Sequence, residues 1–72
     1  MRENKGICLH YLNCINAKGY NLELSGRNGY YFIEQVYEHG ATHTVFGGAS
    51  LRECKDWAVS VLDLLLLNKE EQ

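Results

Sequence analysis

The chain has 72 residues, 46% of them hydrophobic and 22% charged, with a formal net charge of −2. That is one domain near the lower size limit for folding without staples, and its balance excludes a disordered tail. The acidic total also excludes a strong general grip on polyanions, which needs clustered Lys and Arg, while leaving a local basic patch open.

Taken in order, residues 1–4 are polar or charged after the initial Met and are expected to be loose, as are residues 68–72 at the other end. The opening residues lack the basic-then-apolar pattern of a secretory signal, and no apolar run approaches the roughly 18 residues of a bilayer span. From about Asn4 to Lys18 the spacing predicts a helix. Ile7, Cys8, Tyr11, Leu12, Cys14 and Ile15 gather on one side, with His10, Asn13 and Asn16 opposite. Gly19 is the expected stop. Leu9 falls on the polar side without an evident reason.

Tyr20 to Ser25 alternates strictly and reads as a half-buried strand with Tyr20, Leu22 and Leu24 inward. Asn28-Gly29 is a strong hairpin signal. Tyr30 to Glu38 is the second strand, His39-Gly40 the next turn, and Ala41 to Phe46 the third strand. A two-residue Asn28-Gly29 loop sets Leu24 opposite Ile33, buries the odd-numbered side of the central strand and places Glu23 opposite Glu34. A three-residue loop with a bulge at Gly29 buries the even-numbered side instead. The two-residue register is preferred. Gly47-Gly48 reads as a turn into a last helix capped by Ser50 and Glu53. Along that helix Leu51, Cys54, Ala58, Val61, Leu62 and Leu65 form the core stripe. Trp57, Leu64, Val59 and Leu66 flank it, and Arg52, Glu53, Asp56, Ser60 and Asp63 make a thin polar strip. The expected fold is α+β, in the order α-β-β-β-α, with a three-stranded antiparallel meander and both helices on one face.

Two helices on one face leave the other open. The sequence therefore predicts an exposed face carrying Tyr30, Phe32 and Val36, with Val45 beside them, as a protein contact surface. Leu67, on the polar side of its helix, also calls for a partner. The chemistry-bearing residues offer less. Cys8, Cys14 and Cys54 are an odd number without a secretory signal, so free thiols and a cytoplasmic location are expected. Neither they nor His10, His39 and His43 stand at metal-ligand spacing, and no metal or cofactor is expected. Glu23 and Glu34 are cross-strand neighbours, but nothing supplies a pocket around them, and no enzyme is expected.

The run Gly48-Ala49-Ser50-Leu51-Arg52-Glu53-Cys54-Lys55, the glycine-bearing loop Gly26-Arg27-Asn28-Gly29 and the order of elements together resemble the double-stranded-RNA-binding domain. That family carries G-x-S-K-K-x-A-K at the start of its last helix and G-P-x-H in its first loop. Gly48, Ser50, Arg52 and Lys55 are similar, Leu51 replaces a lysine, and the first loop keeps only the glycine. The resemblance implies RNA contacts by Arg27, Gly48, Ser50, Arg52 and Lys55, the loop in a minor groove and the basic run on phosphates. A looser likeness, in size and acidity, is to small phage or mobile-element inhibitor proteins that block a partner. The leading expectation is a non-enzymatic interaction module using the open sheet face, as a homodimer or a partner-blocking inhibitor. A degenerate RNA-binding domain is the alternative, and no membrane partner is expected.

Overall fold

In a computed structural model of the chain the described residues are 4–70, with side chains described for residues 4–67. The expectations of looseness at residues 1–3 and 71–72 lie outside them. Five elements follow in the order α1 (Asn4–Asn16), β1 (Leu22–Arg27), β2 (Tyr30–Val36), β3 (Thr42–Ala49) and α2 (Leu51–Glu70). The strands form one antiparallel meander, β1-β2-β3, and the helices pack on each other and on the sheet side that holds Ile33.

The β1–β2 register is the one a two-residue loop dictates. Asn28 (φ 53°) and Gly29 (φ 83°) are both left-handed, as a type I′ turn requires. Leu24 therefore opposes Ile33, and Glu23 opposes Glu34. Ile33 is fully buried while Tyr30 is 62% exposed, so the odd-numbered side of β2 faces the helices. The like-charged pair is eased by Ser25, whose Oγ donates to Glu34 Oε1 at 3.3 Å.

Several boundaries differ from the periodicity. Strand β2 ends at Val36 before Glu38 is reached, where Tyr37 N–H turns to the Ala41 carbonyl. Helix α1 stops at Asn16, two residues before Lys18. There the ladder tightens: Lys18 N–H donates to the Ile15 carbonyl and Gly19 N–H to that of Asn16, both at 3.0 Å. Gly19 then takes φ 107°, which suits a residue without a Cβ. Strand β1 begins at Leu22 and continues to Arg27, because the tight turn allows pairing right up to it. Strand β3 runs on through Gly47 and Gly48 to Ala49, where the sequence reads a turn. A Cβ at residue 47 would lie 3.2 Å from Phe32 Cβ, so this glycine serves close approach within the sheet.

The core takes residues from every element: Cys8, Leu12 and Ile15 of α1, Leu22, Ile33 and Ala49 of the strands, Cys54 and Ala58 of α2. The buried residues of α2, Cys54 and Ala58, are both small, opposite Cys8, Leu12 and Ile15 of α1 in the same cluster. Trp57 stacks on Phe46 at 5.7 Å between ring centroids and ties α2 to β3. At the head of α2, Glu53 N–H donates to Ser50 Oγ at 3.2 Å and Ser50 N–H donates to Glu53 Oε1 at 3.1 Å. This completes the capping box. Arg52, Glu53, Asp56, Ser60 and Asp63 are all exposed, as the helical wheel requires. Leu64 and Leu67 are also exposed, at 60% and 54%.

Candidate functional site

The even-numbered side of β2 forms the outer face of the sheet, away from both helices. Tyr30, Phe32 and Val36 stand there as a strip along the central strand, with Tyr30 exposed and the other two half-buried. The strip is less apolar than the sequence suggests. Glu34 interrupts it, and the register sets Glu23, Ser25, Thr42 and Thr44 around it. Arg27 reaches over Phe32, its guanidinium carbon 6.0 Å from the ring centroid, a distance at which cation–π attraction operates.

Val45 is not beside that strip. Phe46 opposes Ile33 and Thr44 opposes Glu34, so β3 holds one extra residue between them. With Thr42 and Thr44 on the outer face, alternation turns Val45 to the helix side, and the bulge lets Phe46 share that side. Val45 consequently lines a cleft on the helix side with Ile15, Tyr20, Leu22, Gln35, Trp57, Val61 and Leu65. Gln35 is the one amide among them, and the remaining polar groups are the Tyr20 hydroxyl and the Trp57 indole N–H. At about 200 Å³ the cleft is smaller than the usual small-molecule site, but it admits one or two apolar side chains. Tyr20 and Val45 at its mouth are 45% and 39% exposed.

The residues that the RNA-binding resemblance singles out lie at one end of the sheet. Gly26 opposes Tyr31, Tyr31 opposes Ala49, and Arg27 opposes Tyr30. The β1–β2 turn and the start of α2, with Gly48, Ser50 and Arg52, are thereby brought to the same end. Their electrostatics oppose phosphate, however. The cap amide of Glu53 is taken by Ser50 Oγ, and the Glu53 carboxylate itself sits at the positive end of the helix, where an external anion would compete with it. Lys55 Nζ is 3.2 Å from Asp56 Oδ1, which leaves Arg27 and Arg52, of the three basic residues the resemblance singles out, not engaged by a carboxylate among the described residues.

The thiols are not gathered for catalysis. Cys8 and Cys54 are buried and free, and Cys14 is free and half-buried. Burial, and secondarily the neighbouring Cys54, pushes the Cys8 thiol up to about 11; burial, then the charge of Glu53, raises Cys54. Raised thiols are poor nucleophiles at neutral pH. Cys14 Sγ lies 3.9 Å from His10 Nε2 on the outside of α1, with no oriented third group. Among the described residues no cluster of His, Cys, Asp and Glu could hold a metal ion, and no helix is long and apolar enough to cross a membrane. In the native protein a thiol reagent at neutral pH should modify Cys14 rapidly, with Cys8 and Cys54 following only on unfolding. The folded state favours the protonated Cys8 thiol, so its contribution is complete below the unfolded value near 9 and falls as pH rises toward about 11. Urea unfolding at pH 8 and pH 10.5 should show that loss, and Cys8→Ala should flatten it.

Comparison with known proteins adds no family: no family model matches the chain, and no curated protein and no solved structure matches it significantly.

Proposed function

We propose that the chain is a non-enzymatic protein-interaction module, working as a homodimer or as a partner-blocking inhibitor. The observation that carries this reading is the open cleft mouthed by Tyr20 and Val45, apolar except for the Gln35 amide, the Tyr20 hydroxyl and the Trp57 indole N–H. It has no charged group to orient a reacting substrate, and it is shaped for side chains rather than for a cofactor. Apolar surface left open in a small domain is commonly a contact surface. The strip of Tyr30, Phe32 and Val36 on the outer face supplies a second, more polar contact area.

The test compares Val45→Asp with Phe32→Asp in partner capture, with thermal melts as a folding control. Val45 is 39% exposed, so its replacement should leave the melt within about 1 kcal/mol of wild type while removing capture. Phe32→Asp should weaken capture less. Capture unaffected by either change would overturn the reading.

The shared order of elements and the gathering of Arg27 and Arg52 at one end keep a degenerate RNA-binding domain as the second reading. Under it, duplex RNA binds saturably at low salt, and Arg52→Glu with Lys55→Glu abolishes binding and lowers its salt slope. Under the first reading duplex RNA shows no saturable binding.

A further inference from the structure

Strand β1 is an edge of the sheet, and its outer side is only partly closed. The Asn21 carbonyl accepts from Val36 N–H at 2.9 Å, so the odd-numbered residues of this strand bond inward to β2. By the alternation of an antiparallel ladder, Leu22, Leu24 and Gly26 turn their N–H and C=O groups outward. Asn16 occupies Leu22: its Nδ2 donates to the Leu22 carbonyl at 3.0 Å, and its Oδ1 accepts from Leu22 N–H at 2.8 Å. Among the described residues no hydrogen bond reaches the outward groups of Leu24 and Gly26. Alongside runs a groove lined in part by Leu9, Leu12, Asn13 and Leu24, and Leu9, out of place on the helical wheel, is 40% exposed there.

We propose that this edge pairs with the same edge of a second copy, antiparallel about a two-fold axis through Ser25. Every symmetric register centred on a residue keeps outward-facing groups opposed. Those centred on Leu22 or Glu23 use the backbone of Leu22, which Asn16 holds, and one centred on Arg27 uses Asn28 in the turn. One centred on Leu24 requires the backbone of Leu22, which Asn16 holds. One centred on Gly26 requires Asn28, which is in the turn at φ 53°. The register centred on Ser25 uses the two open positions alone: Leu24 faces Gly26 of the second copy and Gly26 faces its Leu24, each pair exchanging both N–H···O bonds. The same register sets Glu23 opposite Arg27 of the second copy, and Arg27 opposite its Glu23. Both symmetry-related pairs are therefore of opposite charge, where a displaced register would not make them so. They also offset the Glu23–Glu34 repulsion within each copy. At Gly26 a Cβ would lie 2.9 Å from Tyr31 Cε1, so the Tyr31 ring of the same copy covers this position and no side chain of Gly26 stands beside Leu24 of the second copy. The product is one continuous six-stranded sheet with two-fold symmetry. This pairing does not depend on the cleft described above.

The test uses charge reversal, because Glu23 and Arg27 are exposed and their replacement should spare the fold. Light scattering or sedimentation across micromolar to submillimolar concentrations should show a dimer for the wild type. Glu23→Arg and Arg27→Glu, each alone, put like charges in both symmetry-related pairs and should weaken dimerisation roughly tenfold or more. The combined Glu23→Arg/Arg27→Glu variant should restore it. In addition, Ser25→Cys should form an intersubunit disulfide with oxidised glutathione, since directly opposed residues at a non-hydrogen-bonded position are about 4.5 Å apart at Cα. Wild type, carrying the native cysteines alone, serves as the control. A monomeric wild type over this range, a dimer indifferent to the single reversals, or reversals that the double variant does not rescue would each overturn the proposal.

Discussion

Ile33→Ala is expected to destabilise the domain by about 3–4 kcal/mol, the usual scale for deleting most of a fully buried branched side chain. Ile33 is 0% exposed and stands at the middle of the central strand, between Leu24 on one neighbour and Phe46 on the other. Both helices pack on the same side of the sheet, so the cavity has little freedom to collapse. At roughly 0.05–0.15 kcal/mol per residue, a chain this short holds only a modest reserve of stability. The melting temperature should fall by roughly 20 °C, because small domains move several degrees per kcal/mol. Tyr30→Ala, on the opposite side and 62% exposed, should stay within about 1 kcal/mol of wild type. Urea unfolding of both variants decides the matter. A larger loss at Tyr30 than at Ile33 would mean that the sheet is inverted relative to its helices.

That prediction could have been written from the sequence, because the residues that set it act locally. Asn28-Gly29 supplies two left-handed positions, a two-residue loop fixes the β1–β2 register, and the register decides which side of β2 is buried. The α-β-β-β-α order was legible for the same reason, as were the capping box and the stripe of α2. The features that escaped reading depend on what lies opposite. Gly47 and Gly48 resemble a turn until Phe32 Cβ is found against residue 47. Val45 turns to the cleft because Thr42 and Thr44 pair with Val36 and Glu34 on the outer face, a β2–β3 register that no local signal sets, and the extra residue then brings Phe46 to the same side. Alternation puts Tyr20 inward within the strand, whereas it precedes β1 and stands 45% exposed on the helix side, and nothing local shows that the cleft it lines stays open. Asn16 looked like a solvated residue on the polar side of α1. Its work is done on a strand that its own helical period cannot see.

Asn16→Ala is the second large effect, expected at about 2–3 kcal/mol. Each of its hydrogen bonds contributes on the order of 1 kcal/mol, and truncation also strips two half-buried backbone groups of Leu22 of their partners. The amide stands in for a neighbouring strand, donating and accepting on the same residue, so it both closes α1 onto the sheet and terminates the open edge. Asn16→Asp separates the two contributions. The carboxylate still accepts from Leu22 N–H but loses the donor and sets a negative charge against the Leu22 carbonyl, so it should cost at least as much as half of the alanine effect. The edge pairing adds a readout that a merely local bond would not give. With Leu22 released, the register centred on Leu24 becomes available, and in it Glu23 faces Ser25 of the second copy instead of Arg27. A dimer of the Asn16→Ala variant should therefore lose much of its sensitivity to reversal at Glu23, whereas in the wild type that sensitivity is roughly tenfold. Should the variant keep wild-type stability in urea, water satisfies Leu22 as well as Asn16 does, and the amide neither holds the helix to the sheet nor sets where pairing along the edge must stop.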